Sequence, residues 1–360
     1  MSQTARRGAD HIPSRSDDGH APSDQSLRIH RLVQTEINAG FADDVRRGLS
    51  AETKRLFPKY FYDALGSLLF DAICLLPEYY LTRAENEILE RDADEIVASV
   101  HDGGPVTLLE MGSGSAIKTR LVIEALLKRQ TRLLYVPVDI SATALETSAR
   151  VLLQSYPSLT VEAYASDYDT ALRYMHDSAW REGRVLALFL GSNIGNFEEA
   201  EARAFLRSLR GVLRAGDALL LGADLKKDPA VLEAAYDDAL GVTAAFNLNL
   251  LARINRELDA DFDLRTFRHI ASYDAQGGRV EAFIESDRPQ RVNIGKLGLE
   301  VTFAAGERIH TENSHKYDLA QLSQLATGAG FTRARTWFDH AEQFSSNLFV
   351  AVEQADLIKP

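Results

Sequence analysis

The sequence predicts an α/β protein built on a parallel sheet with helices on both faces. Three observations carry that expectation. Short, continuously apolar runs alternate with amphipathic stretches between Val106 and Leu221. One of these runs, Val106 to Leu109, ends in Glu110 and a two-glycine turn, Gly112-Ser113-Gly114. The alternation breaks near residue 228 and resumes near 317, so the stretch between reads as an insertion. Strands of a parallel sheet are covered on both faces, and so they are apolar throughout rather than at alternate positions.

Taken in order, residues 1–25 are rich in Ser, Asp, Arg, Gly and His and nearly devoid of large apolar residues, as in a disordered tail. Leu27 and Ile29 alternate as a short strand would. Ile29, Leu32, Val33 and Ile37 fit one helix face instead, and both readings stand. Phe41, Val45 and Leu49 recur every four residues and predict a helix. An aromatic-dense loop, Phe57–Asp63, leads to a helix over Ala64–Leu75. Thr82, with Glu85 three residues on, reads as the capping box of a helix reaching about Val100.

Strands follow at Val106–Glu110, Arg132–Asp139, Leu159–Ala165, Val185–Leu190 and Asp217–Leu221. Helices are expected from Lys118 to about Lys128, and over Ala142–Leu153 and Glu198–Leu213. Asp228–Ala245 and Phe246 to about Leu258 read as helical. Next come four strands of a β meander: His269–Asp274, Val280–Ser286, Gln290–Ile294 and Leu299–Phe303. A helix at Leu319–Ala329 and strands at Thr332–Asp339 and Asn347–Glu353 would complete the main sheet. The expected division is a tail (1–25), a mostly helical segment contributing to the substrate-binding part (26–94), a sheet domain (95–227 and 317–360) and an inserted α+β substrate-binding domain (228–316).

Composition narrows the function. A net charge of −12 argues against a nucleic-acid or anionic-membrane partner. The single cysteine, Cys74, excludes an internal disulfide and a cysteine-based zinc site. No apolar run approaches a membrane span, and the first residues lack the apolar core of a signal peptide. A cytoplasmic monomer is expected.

The glycine turn suits a nucleotide-like ligand, because glycine lets the backbone turn sharply and approach a ligand closely. A dinucleotide fingerprint wants a third glycine where Ile117 stands. A nucleoside without a pyrophosphate, such as S-adenosylmethionine (SAM), asks less of the turn. Glu110 and Asp139 at strand ends would then serve an amine and a ribose, with Asp167 as a further acceptor, although either aspartate alone could simply cap a helix. Lys118 would face a cofactor carboxylate or else be solvated. Asn193 and Asn196 lie in a glycine-bracketed loop after a strand, as ligand contacts or as ordinary turn residues. In His310-Thr311-Glu312-Asn313-Ser314-His315 an extended chain places His310, Glu312 and Ser314 on one face. Glu and Ser side by side could clamp an imidazole; His, Glu and His could bind a metal, but no open-site motif is present, and no metal is expected. Tyr60, Tyr62, Tyr79, Tyr80 and Tyr236 offer hydroxyl tips and π faces for a cation such as a sulfonium, or serve as core.

Together these segments resemble the SAM-dependent histidine Nα-methyltransferases, the enzymes that make hercynine on the way to ergothioneine. The matching strings are FPKYFYDALGSLLFD, LPEYYLTRAE, LEMGSGSAIKTR, YVPVDIS, FLGSNIGNF, LLGADLKKD, AYDDALGVTAAFNLNLLARINREL and AAGERIHTENSHKY, spread over nearly everything after residue 55. The resemblance implies a Rossmann-like class I methyltransferase sheet, SAM as cofactor and free L-histidine as partner. It places Gly112, Lys118, Asp139, Asp167 and Tyr168 at SAM-contacting positions and Tyr79 near cofactor and substrate amine. Asn196 and Tyr236 match residues holding the amino-acid head, and Tyr79 and Tyr236 are the expected catalytic pair. Glu312 and Ser314 match the imidazole grip, Tyr62 and Phe70 match wall aromatics, and Gly191 lies in the substrate loop. Three residues depart from the family pattern: Asn193 stands for threonine, Ala282 for methionine and Leu81 for proline. Ala282 is expected to enlarge the side-chain end of the pocket, which would let a bulkier aromatic amino acid fit, whereas Glu312 argues for histidine because a buried carboxylate without an imidazole N–H partner is costly.

Overall fold

The computed structural model describes residues 26–32 and 36–353, so the expectation for residues 1–25 lies outside the described residues. In chain order the elements are β1 (Leu27–Arg31), α1 (Glu36–Leu49), α2 (Ala64–Ile73), α3 (Leu81–Ala98), β2 (Val106–Met111), α4 (Thr119–Leu127), β3 (Leu133–Asp139), α5 (Ala142–Ser155), β4 (Leu159–Ala165), α6 (Tyr168–His176), β5 (Arg184–Phe189), α7 (Glu199–Val212) and β6 (Ala218–Asp224). They continue with α8 (Pro229–Tyr236), α9 (Val242–Leu258), β7 (Phe267–Asp274), β8 (Arg279–Ser286), β9 (Gln290–Ile294), β10 (Leu299–Phe303), β11 (Arg308–His315), α10 (Leu319–Thr327), β12 (Phe331–Phe338) and β13 (Phe344–Ala351).

The main sheet has the order β1-β4-β3-β2-β5-β6-β13-β12. Its first six strands run parallel, and β13 returns antiparallel to both β6 and β12. The apolar runs explain the central position of β2, β5 and β6. Leu108, Leu186 and Leu220 point into the core on one face, and Leu109, Ala187 and Leu221 into the core on the other. Each fully buried leucine contributes roughly 1.5–3 kcal/mol, so these strands are stable only where both faces are covered.

Several expectations change. Leu27 and Ile29 belong to a strand that pairs parallel with β4 at the sheet edge. Because α3 packs on α4, β12 and β13, both β1 and α3 belong with the main sheet, although 26–94 was assigned to the substrate part. Thr82 does not cap α3: the helix begins at Leu81 after Tyr80, which makes no side-chain cap. Glu85 is consequently free for other work. The long helix expected over 228–245 ends at Tyr236, and α9 starts at Val242. Asp238 accepts from the backbone N–H of Val242 (3.0 Å) and Thr243 (2.7 Å), and Gly241 takes φ +75°. A side chain that satisfies the free donors of a new helix start breaks an otherwise helical composition.

The four-strand meander is instead two sheets. β9 and β10 form a hairpin, while β11 pairs with β8 in a sheet of order β11-β8-β7. A bulge at Thr311 shifts the β11 register between His310 and Glu312. The two-residue period therefore fails there. His310 falls beside Asn313 (Nε2 to Oδ1, 2.8 Å), and Glu312 and Ser314 share the other face. β13 begins earlier than expected because its first half is polar. Ser345 and Asn347 are fully buried and bonded to each other (2.9 Å), which apolar-run reasoning passes over.

The Asp238 cap gives a direct check on the helix break. Asp238→Ala should lower unfolding stability by about 1 kcal/mol in denaturant titration, a typical loss for an N-cap. No loss would mean that the turn is held elsewhere.

Candidate active site

The C-terminal ends of the parallel strands carry the first half of the site. Gly112 has φ +77°, and a Cβ there would lie 2.5 Å from the Tyr168 hydroxyl and 3.1 Å from Asn193 Nδ2. Backbone conformation and crowding both require glycine. Gly114 follows with φ +50° and open space around it. Asp139, at the end of β3, accepts from the N–H of Gly114 and of Ser141, both at 2.9 Å. Burial raises its pKa against the pull of those bonds. Asp167 caps α6 through Thr170 N (2.9 Å) and Oγ1 (3.0 Å). Tyr168 stands edge-on to Phe189 with ring centres 5.7 Å apart.

Ser166 Oγ, just before Asp167, is buried with no protein partner among the described residues. Buried polar atoms are nearly always bonded, so it fits a hydroxyl- and amine-rich ligand laid across the turn. Glu110 does not serve an amine. Its carboxylate is buried and takes the hydroxyls of Thr119 (2.7 and 2.9 Å) and Tyr135. Burial, only partly offset by those bonds, pushes its pKa up to about 7.

A narrow cavity, partly continuous with solvent, forms the second half. Tyr62, Phe70, Tyr79, Gly191, Asn193, Asn196, Tyr236, Glu312 and Ser314 line it, as do Ile73, Ser192, Ala235, Thr243 and Phe246. The rings meet edge to face: Tyr62 and Phe70 at 5.6 Å, Phe70 and Tyr79 at 6.2 Å, Tyr79 and Tyr236 at 6.1 Å. Burial drives the phenols of Tyr62, Tyr79 and Tyr236 upward, so they are neutral hydroxyls at pH 7. The remaining two tyrosines lie elsewhere: Tyr60 donates to Asp44 (2.7 Å) and Tyr80 to Asp224 (2.7 Å). Ala282 does not line the cavity. It sits directly opposite Glu312 in the β8–β11 ladder, on the same sheet face. His310, Glu312 and His315 do not converge, since His315 turns toward Glu198 at 3.6 Å.

The two halves meet at Asn193, whose side chain lies between Gly112 and Gly191. They also meet at Glu85, which sequence reasoning had assigned to a cap. Glu85 is fully buried, binds Lys118 and accepts from Gly191 N (2.8 Å). Gly222 makes room for it, because a Cβ there would lie 1.9 Å from Glu85 Oε1. A glycine within the apolar run of β6 was the available signal.

Behind the cavity lies a buried ionic network that was also missed. Lys316 Nζ meets Asp224 Oδ2 (2.9 Å), the Tyr236 hydroxyl (2.8 Å) and Ser314 Oγ (2.8 Å). Lys227 also contacts Asp224. Burial alone would depress the Lys316 pKa, but Asp224 and Tyr236 reverse this, and the net shift is upward. Lys316 is charged at neutral pH. Asp224 ends an apolar strand as Asp139 does, which was its signal; the sequence reading stopped that strand at Leu221.

Glu312 faces the cavity with no protein hydrogen-bond partner among the described residues, and burial raises its pKa to about 7 against the attraction of Lys316. The folded protein therefore holds a proton that the unfolded chain releases above the ordinary value of 4.5, and stability declines as pH rises from 4.5 to 7. In ligand-free protein, Glu312→Gln should be more stable than wild type at pH 8, on the order of 2 kcal/mol. The gain should vanish near pH 4. Equal thermal or denaturant midpoints at pH 8 would contradict the shift.

The chain was compared with known proteins. A family profile described as "Histidine-specific methyltransferase, SAM-dependent" matches residues 41–351. The histidine N-alpha-methyltransferase of Mycobacterium tuberculosis is 44% identical over 305 residues, covering 85% of this chain and 93% of the relative. That of Mycolicibacterium smegmatis is 43% identical over 307 residues, covering 85% and 94%. An L-tryptophan methyltransferase of Psilocybe serbica is 28% identical over 303 residues, covering 79% and 84%. With a parallel sheet, a glycine turn and this match over most of its length, the chain belongs to the SAM-dependent histidine-specific methyltransferase family.

Proposed function

We propose that the protein methylates the α-amino nitrogen of free L-histidine three times, giving the betaine hercynine. The observation that carries this reading is the pairing of Glu312 and Ser314 on one strand face inside an aromatic cavity, next to the glycine turn. An unpartnered carboxylate beside a hydroxyl matches the two nitrogens of a neutral imidazole, one a donor and one an acceptor. The names of the two mycobacterial relatives support the same substrate.

Gly112, Lys118, Asp139, Asp167 and Tyr168 would hold SAM, with Ser166 as a further contact. SAM supplies an electrophilic methyl group on a sulfonium. The chain's contribution is placement. Asn196 and Tyr236 fix the amino-acid head, and Glu312 and Ser314 fix the ring, so the substrate is held at both ends. Tyr79, neutral and close to Tyr236, offers its oxygen to an amine N–H and turns the lone pair away from itself. Tyr62, Phe70, Tyr79 and Phe246 line the cavity, and their π systems would favour a cationic group bound there. The first two transfers each release a proton. The third leaves a nitrogen with no lone pair, and the sequence stops.

Two measurements test the reading. Mass spectrometry of purified protein with SAM and histidine should give a product heavier by three methyl groups, and Glu312→Ala should abolish most of it. SAM bound without methylated histidine would sink the proposal and send the assay to tryptophan and tyrosine. A product carrying an aminocarboxypropyl group would sink methyl transfer itself. Gly112→Ala should lose SAM binding by calorimetry, because the added methyl meets Tyr168 at 2.5 Å.

A further inference from the structure

Lys316 is completely buried, outside the cavity wall, and holds three acceptors. An ammonium group has three N–H donors and no lone pair. Asp224 Oδ2, the Tyr236 hydroxyl and Ser314 Oγ use all three. Tyr236 and Ser314 also bond to each other at 2.7 Å, with either as donor. If Tyr236 donates, the Ser314 oxygen already accepts twice, and its own hydrogen has no protein acceptor among the described residues. If Ser314 donates, the same holds for Tyr236. In both arrangements the free hydroxyl hydrogen belongs to a residue that lines the cavity, and that oxygen can accept nothing more.

We propose that Lys316 is a positioning residue that makes this hydroxyl pair an obligate donor toward the ligand. Resting on the histidine reading above, this deepens it. The site selects a ring that carries both an N–H and, one carbon away, an unprotonated nitrogen, which a neutral imidazole has and an indole, phenol or pyrrole lacks. With Tyr236 donating to Ser314, Glu312 takes the ring N–H and the Ser314 hydroxyl demands the lone pair. Specificity then resides in a lysine that never touches the substrate.

The test compares L-histidine with the two pyrrolylalanine isomers, each of which keeps one ring N–H and replaces the other nitrogen by C–H. Binding is measured by calorimetry on protein loaded with S-adenosylhomocysteine. A buried donor left unpaired should weaken the better isomer about 10- to 100-fold relative to histidine in wild type. Lys316→Met should reduce that ratio to within about threefold, chiefly by weakening histidine. Ser314→Ala should do the same, and combining the two should add nothing further. Lys316→Met leaves Asp224 short of a partner, so D224N/K316M, which removes both charges, is measured beside it. Equal binding of histidine and a pyrrolylalanine to wild type would overturn the inference and leave the histidine reading intact. Loss of both ligands in equal proportion in the Lys316 variants would reduce Lys316 to a structural counter-ion and also overturn it. Failure of wild type to bind histidine at all would overturn the histidine reading, and the inference with it.

Discussion

The contact on which the rest of the site depends is the buried pair of Asp224 and Lys316. Asp224 ends the last parallel strand of the main sheet, and Lys316 immediately follows β11. The pair therefore clamps the separately folded β11-β8-β7 sheet to the sheet end where ligands of such folds bind. The backbone reinforces the clamp: Tyr317 N donates to Asp224 O (3.0 Å) and Lys226 N to Tyr317 O (3.0 Å). A buried charge pair contributes little net stability, but losing one partner is costly, on the order of 3–5 kcal/mol. Such a pair is better understood as fixing one arrangement over others. Here the arrangement it fixes is the distance from Glu312 and Ser314 to the glycine turn.

A second joint works at the cofactor side. Glu85 comes from α3, Lys118 precedes α4 and Gly191 follows β5, yet all three meet at one carboxylate. Gly222 on β6 supplies the room. Asn193 lies between Gly112 and Gly191 in the same region. Two reactants that each carry an amino-acid head need their binding sites held end to end within fractions of an ångström. Four separate elements converging on a single buried group meet that need better than a loop would.

What was legible in the sequence follows from how each signal arises. β2, β5 and β6 announce themselves because burial on both faces keeps their centres apolar, with Glu110 and Asp224 falling toward the strand ends. The Gly112 turn is visible because a positive φ next to a crowded hydroxyl tolerates one residue type. The pairing of Glu312 with Ser314 was legible from alternation, but the place of His310 was not. A bulge adds one residue without altering composition, so it leaves no periodic trace. The break between α8 and α9 was hidden for a related reason: Asp237, Asp238 and Leu240 suit a helix surface, and only the turn of Asp238 onto the next helix start reveals the stop. Lys316, Asp224 and Glu85 escaped because a buried charge looks like a solvated one until its partner, distant in sequence, is placed beside it.

The raised pKa of Glu312 connects this architecture to selectivity. Among the described residues no protein group bonds the Glu312 carboxylate, which is poorly solvated in its aromatic cavity, and the protein bears that penalty before any ligand arrives. An N–H directed at Glu312 relieves it, whereas a purely apolar ring would leave it in place or deepen it by expelling water. On the other side, the hydroxyls held by Lys316 penalise any ring that offers no acceptor. Each polar group alone admits several aromatic side chains. Indole satisfies the carboxylate but not the hydroxyl, and a phenol must give and take from a single oxygen atom. Placed side by side on β11 and backed by one buried ammonium, the two groups narrow the choice to a ring that gives with one nitrogen and takes with the other.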